Sequence, residues 1–488
     1  MLLRTSKNLK YLYLDEIICN QLIFENLYDN TTVTSVDLNL PYSICNELKS
    51  KAVDVLVKIL CKNSNLTSLN LSFSHLGFER MKTLLEYLYN NTVINSLSLH
   101  EYLIGIKEGR KLARMIAKLL CKNKTLTSLN LCGSVEGLSS YSDIEPKALA
   151  EALCKNNTLK NLKLHFNVFG SELGKALTDA LCKNTALISL DIGNIGSEGG
   201  KALADALCKN TSLTSLKLGH NKLGIEGGKA LADALCKNTT LTSLDLTENN
   251  IGSEGGKAIA DALCKNNSLK DLNLQYNKLG VEGLIALADA LCKNTTLTSL
   301  NLCKSSDNLL FYNDLGPKAL ADALCKNTTL IFLDISNNYL GSEGGKALAN
   351  ALCKNTTLTS LNINGNILGS EGGKALANAL FKNSILTFLN ISFNNLESEV
   401  GKALADALCN NTTLTSLDIS YNNIGLVGVK ALANALCKNT TLTSLNLGWN
   451  NLGSEGGIAL ADALCKNTTL NYINFKIKSN NPSIKILQ

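Results

Sequence analysis

Residues 236–263 read CKNTTLTSLDLTENNIGSEGGKAIADAL, and near-copies of this stretch fill most of the chain. Leu241, Leu244 and Leu246 follow the spacing LxxLxL, which points Leu244 and Leu246 to one face of a short strand. Asn249 falls where the chain must turn. A buried Asn there can hydrogen-bond backbone groups of its own and the neighbouring turn. Ile251 closes the core, Ser253 suits a helix N-cap, and Gly255 and Gly256 allow tight packing at the helix start. KAIADALCKN is amphipathic, with Ala258, Ile259, Ala262 and Leu263 on its apolar face. Lys257, Asp261 and Lys265 face water, the last two at the favourable i,i+4 spacing. Asn266 suits a left-handed C-cap. The hydrophobic period switches from 2 to 3.6 inside the unit, so each copy predicts one strand and one helix.

Working outward, the leading Cys recurs at 154, 182, 208, 236, 264, 292, 325, 353, 409, 437 and 465, mostly 28 residues apart. Phe381 takes the same slot in one copy, and Tyr28, Cys61, Tyr89 and Cys121 take it in more degenerate copies. A partial copy with Leu9, Leu12 and Leu14 opens the chain. Self-similarity at this period predicts a repeat architecture. Residues 1–475 then form a single domain of about sixteen units, in which 1–145 are degenerate and 146–475 regular, followed by a tail at 476–488. The length prior of roughly three domains gives way to units that touch their neighbours.

The LxxLxLxxNxL pattern and the GxEGGxxLAxAL helix resemble the leucine-rich repeat family. The 28-residue unit resembles its ribonuclease-inhibitor-like subtype, which includes ribonuclease inhibitor, the sensor domains of NOD-like receptors and the Ran GTPase-activating protein. The resemblance covers residues 1–475 and implies an α/β solenoid, a right-handed βα superhelix. Spacing adds curvature. Strands sit about 4.8 Å apart and helices about 8–10 Å apart. That mismatch predicts a horseshoe with a parallel sheet on the concave face and helices outside.

Composition removes whole classes of function. With 45% hydrophobic and 18% charged residues the chain is no disordered polyelectrolyte. A net charge of +6 on 47 basic and 41 acidic residues does not call for nucleic acid. The N-terminus is broken by Arg4, Lys7, Lys10, Asp15 and Glu16 and lacks a signal-peptide core. No apolar run approaches the roughly 20 residues of a membrane span. A cytoplasmic protein without membrane association is expected.

The 17 cysteines are mainly a repeat count. Their periodicity after the helix-end Leu predicts small buried apolar residues, and no CxxC pair suggests zinc. Cys132 and Cys303 stand apart, one residue after the last strand Leu, as the candidates for reactive thiols. GSEGGKA fails the phosphate-loop pattern because Lys257 and Lys346 are followed by Ala. His75, His100, His165 and His220 form no HExxH, and no GxSxG elbow occurs. His100 and His165 are read as surface contacts. No catalytic residue, metal ligand or cofactor site is predicted. The recurring Asn-Thr-Thr sequons would matter only on a secretory route.

Some copies are irregular. Extra residues between Cys132 and Pro146, and between Cys303 and Pro317, place loops carrying Tyr141, Phe311 and Tyr312 before helices that start near the prolines. The copy from Cys182 is two residues short around Gly193–Asn194. In the tail, Lys476, Lys478 and Pro482 suit protection of a last strand edge.

Outward strand positions are mostly small and polar, as in Ser243, Asp245, Thr247 and Glu248. Against them Phe73, Phe166, Tyr276, Phe393, Tyr421 and Trp449 share one slot, the residue before the repeat Asn. Phe393, Tyr421 and Trp449 come from consecutive copies, Phe388 and Tyr472 sit nearby on strands, and Asp418 is a polar neighbour. Two readings stand for the rings: contact with a partner, or packing on each other over the sheet edge. Mixed charges, Lys163 and Lys217 with Asp191, Asp245, Asp334 and Asp418, suit a protein more than a phosphate backbone. The leading expectation is a monomeric, non-enzymatic scaffold with a protein partner on its concave face. The resemblance also implies two alternatives: a GTPase-activating regulator, or an innate-immune sensor or host-directed effector.

Overall fold

From Leu66 onward, each LxxLxL segment or its close variant forms a short strand with these apolar side chains buried. The structure is a computed structural model. It describes residues 10–14, 32–40, 54, 56–58, 60, 63–73, 78–104, 106–135, 146–166, 170–305, 315–476 and 484–487. The chain divides into two compact units, residues 1–244 and 245–488. In the first, the strands Tyr11–Leu14, Ser35–Leu40, Ser68–Phe73, Ser96–Ile104, Ser128–Val135, Asn161–Phe166, Ser189–Ile192 and Ser215–Lys217 pair parallel in chain order. In the second, parallel pairing runs from Asp271–Asn273 through to Tyr472–Phe475. Helices such as Gly252–Leu263 and Gly280–Leu291 alternate with the strands. In each unit strand and helix alternate along a parallel sheet, which makes this an α/β solenoid.

Leu241, Leu244, Leu246, Ile251, Ile259 and Leu263 are all buried, as their period requires. Asn249 is fully buried, and its amide donates to the Leu246 and Thr247 carbonyls at 2.9 and 3.1 Å. The Asn277 side chain donates to the Leu246 carbonyl at 2.7 Å and accepts from the Asn249 N–H at 3.0 Å. These side chains satisfy backbone groups that the short strands leave unpaired. The glycines behave as expected: a Cβ on Gly256 would stand 3.0 Å from Leu279 Cδ2, and one on Gly401 would stand 2.8 Å from the Gly428 backbone.

Helix ends differ from the sequence reading. Ser253 lies inside the first turn, the N-cap is Ile251 without a side-chain hydrogen bond, and Ser253 Oγ is buried without a partner. The turn is anchored instead by the next copy, whose Asn277 carbonyl accepts the Gly252 N–H at 2.9 Å. Asn266 is no left-handed cap either: the helix ends on Cys264 in right-handed geometry. Asn266 is buried, and its side-chain oxygen accepts the Ser268 and Leu269 N–H groups. The next copy's Asn294 then donates to the Leu263 carbonyl at 2.7 Å and to the Asn266 carbonyl at 3.2 Å. A second asparagine ladder thus caps helices with a residue of the following copy, as Asn355 and Asn467 do for Leu324 and Leu436, a job that needs a tertiary partner and so leaves no local signal. Asp261 and Lys265 are not paired with each other; Lys257 instead reaches Glu254 at 3.0 Å and also pairs with Glu282. Ala260 is buried where Ala258 is half-buried, a shift of the apolar face.

The cysteine reading is overturned. Cys121, Cys236, Cys264, Cys292, Cys353, Cys409, Cys437 and Cys465 are exposed, and Cys154, Cys182, Cys208 and Cys325 are half-buried. The leucine before each Cys takes the buried position, and one further residue turns the side chain by roughly 100° out of the core. Thr247, read as outward, is buried with its hydroxyl 2.6 Å from Asp245 Oδ1. Pro146 opens the helix Pro146–Lys155, and Pro317 lies in the first turn of Leu315–Leu324. Tyr141, Phe311, Tyr312, Lys478 and Pro482 lie outside the described residues. In the tail, Ile484–Leu487 pairs antiparallel with Tyr472–Phe475, so a strand covers the edge that charge was expected to protect.

Two residues in most turns take left-handed backbone. One slot holds His220, Glu248, Tyr276, Lys304, Asn337, Gly365, Phe393, Tyr421 and Trp449; the other holds Lys222, Asn250, Lys278, Tyr339, Ile367, Asn395 and Asn451. The short copy at Gly193 keeps a single such residue, Asn194. Ile367, with φ 55°, is the β-branched member, and branching at Cβ is the least suited to this region. Ile367→Asn, matching its counterparts, is expected to raise stability by about 1 kcal/mol, read from the urea midpoint at unchanged slope.

Candidate functional site

The ring slot lies in the turn that leaves each strand. The Phe393 and Tyr421 N–H groups extend the ladder, donating to the Ser420 carbonyl at 3.1 Å and the Gly448 carbonyl at 2.8 Å. Phe393, Tyr421 and Trp449 share φ values of 52°, 53° and 58°, so their side chains leave in the same direction from successive rungs. Strand spacing near 4.8 Å suits ring stacking. Phe393 and Tyr421 stack at 4.0 Å between centroids and 13° between planes, and Tyr421 and Trp449 at 5.3 Å and 15°. Lys476 Nζ sits 3.9 Å over Trp449, a cation–π cap on the far end of the stack. The rings remain 51%, 42% and 46% exposed. They therefore pack on one another and face solvent together.

A bulky residue in left-handed backbone is disfavoured by about 1–2 kcal/mol. Asn337 and Gly365 show that the slot accepts residues better suited to it. The same backbone recurs at His220, Glu248, Tyr276 and Lys304, so the strain belongs to the repeat turn, and the run of three consecutive aromatics is what sets this stretch apart.

The remaining candidates divide. Tyr276 is exposed but belongs to another stretch of slots, with Lys304 Nζ 5.3 Å from its ring centre. Phe388 is half-buried on its strand in register with Ser360 and Ser416. Tyr472 is half-buried between Ser444 and Leu487 of the flanking strands. Asp418 is committed internally: Oδ1 accepts the Ser420 N–H at 2.9 Å and hydroxyl at 2.6 Å, and Oδ2 accepts the Asn446 amide at 2.9 Å. It braces the turn of Tyr421 and has little left for a partner. The side chains of Phe73 and Phe166 are outside the described set. Lys476 is the residue that sequence reasoning placed elsewhere. Its position one rung beyond Gly448 was a usable signal.

In the N-terminal unit, His165 Nε2 lies 2.6 Å from Asp191 Oδ1 and Lys163 Nζ lies 3.1 Å from Oδ2. Burial pushes the Asp191 carboxyl up, but these hydrogen bonds and charges outweigh it and hold the group below its ordinary value. A lowered carboxylate contributes stability above its unfolded value and loses it as pH falls through the folded one. The stability gap between the native chain and Asp191→Asn is therefore expected to be widest near neutral pH and to close on acidification below pH ~4, measured by denaturant titration at each pH. Cys132, half-buried, has its Sγ 3.2 Å from Asn130 Oδ1. Burial raises its thiol, against the pull of Lys163, which disfavours the reactive thiolate. Cys303 is buried. Among the described residues no three His, Cys, Asp or Glu side chains converge as metal ligands, and no helix is long and apolar enough to cross a membrane.

The Leucine Rich repeat family model matches this chain at residues 62–79, 209–232, 237–260, 265–288, 326–349, 354–377, 382–405, 410–433 and 438–461. These segments fall on the strand–helix units described above. Among solved structures, Leiomodin-1 Actin-Binding Site 2 (ABS2) is similar over 27% of this chain and 78% of its own, at 25% identity and a TM-score of 0.26. No curated protein matches the sequence.

Proposed function

We propose that this leucine-rich-repeat chain is a non-enzymatic scaffold that docks a protein partner on its strand-lined face, anchored by Phe393, Tyr421 and Trp449. The observation that supports this most is the exposed three-ring stack on consecutive rungs. A preformed row of rigid rings has little conformational entropy to lose on docking, and aromatic side chains dominate interface hot spots. Lys476 holds the end of the stack, while Asp418 and Asn446 brace the turns beneath it. Phe388 and Tyr472 border it on the strands, and Tyr276 is a secondary contact. The protein works as a monomer in the cytoplasm in this reading.

Trp449 is the sole tryptophan, so its emission reports on this surface directly. Partners captured from lysate by the full chain are identified, purified and titrated against it. The reading requires a change in Trp449 emission that saturates with the partner. Retention of every partner by a folded variant lacking all three rings sinks it.

A further inference from the structure

A polar depression lies on the strands of the N-terminal unit. Asn130, Lys163, Asp191 and Lys217 lie in register on four adjacent parallel strands. Ser128, Asn161, Ser189 and Ser215 form the row beside them. A depression of about 230 Å³ lies over these rows. The corresponding central positions of the C-terminal unit are Asp245, Asn273, Asn301, Asp334, Asn362, Asn390, Asp418, Asn446 and Asn474, none of them basic.

Hydrogen-bonding capacity decides what the depression accepts. Asp191 is its carboxylate, and both oxygens are occupied, Oδ1 by His165 and Oδ2 by Lys163. Lys217 is exposed and makes no ion pair among the described residues, although it is in register with Asp191. The side chains of Ser128, Asn161 and Ser189 make no hydrogen bonds among the described residues. The negative charge is thus neutralised in place, and the uncommitted groups are one ammonium and several hydroxyl and amide donors. Such a set complements an oxyanion.

We infer that this depression binds a carboxylate of an acidic peptide segment, with Lys217 as the charge partner and the serine row as hydrogen-bond donors. Lys163 and His165 position the site by holding Asp191 away from the incoming acid. Asp191 also sets the strength of binding, because it keeps the Lys163 ammonium occupied and away from the ligand.

The test is fluorescence anisotropy of the full chain with a labelled ten-residue polyglutamate peptide. Polyglutamine and inorganic phosphate serve as separate probes, at about 0.15 M salt, where surface charges are screened beyond about 8 Å. Lys217→Glu is expected to weaken polyglutamate binding at least about tenfold. Lys237→Glu, the same charge change at an exposed helix end, is expected to change it less than about twofold. Asp191→Asn is expected to tighten it by about threefold or more. Circular dichroism confirms that each variant is folded. Equal losses for Lys217→Glu and Lys237→Glu would reduce the binding to net charge and overturn the inference. Binding of phosphate without polyglutamate would overturn the assignment to an acidic peptide. Any of these failures leaves the ring-stack reading intact, because the rings belong to the C-terminal unit and are read out through Trp449.

Discussion

Asn422→Ala is expected to destabilise the C-terminal unit by about 4 kcal/mol, a loss at the upper end of what a single substitution produces. Asn422 is 4% exposed. Its amide donates to the Ile391, Ile419 and Ser420 carbonyls at 3.1, 3.0 and 3.2 Å. Its carbonyl oxygen accepts the Asn394 and Leu396 N–H groups at 2.9 and 3.0 Å. Alanine strands the Ile391 carbonyl and the Asn394 and Leu396 N–H groups, while the Ile419 and Ser420 carbonyls keep Asn450 and Phe393 as donors. Each buried group left unsatisfied costs about 1–3 kcal/mol, and relaxation of the turn keeps the total below the sum. Asn422→Asp keeps an acceptor but buries a charge, and is expected to be no better tolerated. Hydrogen exchange is the appropriate readout, because a repeat array can open locally before it unfolds globally. Loss of protection should centre on the copies holding Ile391 and Ile419. Because Asn422 follows Tyr421 and fixes the residue after Phe393, the same variant should also disorder the ring stack and shift Trp449 emission. Unchanged protection in those copies would show that the asparagine ladder does not brace these turns.

Replacing Phe393, Tyr421 and Trp449 together by alanine is expected to weaken partner binding by about 100- to 1000-fold. Hot-spot rings contribute about 2 kcal/mol or more each, and such contributions are not additive. The effect should fall on the dissociation rate, since a rim of polar groups and the overall charge are unchanged. A triple glycine variant separates binding from folding. Glycine removes the rings while easing the left-handed backbone at φ 52°, 53° and 58°. If both variants fold and both lose the partner, the rings are the anchor. If the glycine variant binds as the native chain does, the stack is only packing.

The rings show how far sequence reading goes. Three aromatics at 28-residue steps, 393, 421 and 449, mark the surface at once. Whether they meet each other or a partner could not be decided from the steps alone. That depends on the left-handed turn that aims all three the same way, and on Lys476, whose role follows from a rung position rather than a motif. Asp418 was legible as a polar neighbour, but its oxygens are consumed by Ser420 and Asn446, which only the folded turn reveals. Lys163, Asp191 and Lys217 were visible as mixed charge. In-register pairing turned that mixture into one occupied carboxylate beside an ammonium outside any ion pair among the described residues.

The sequence by itself determined the strand–helix alternation, the buried leucines and the asparagine of the strand turn, because each follows from a period or a spacing within one copy. Tertiary structure decided what one copy cannot complete. The helix-end asparagine caps the helix of the preceding copy, so Asn294 answers to Leu263 and Asn355 to Leu324. The cysteine that marks most copies turns outward because the leucine beside it fills the inward place. Both outcomes arise from the neighbour. A hydrogen bond or a core position is assigned by what lies across the gap, and for these caps that atom is 31 residues away in the chain.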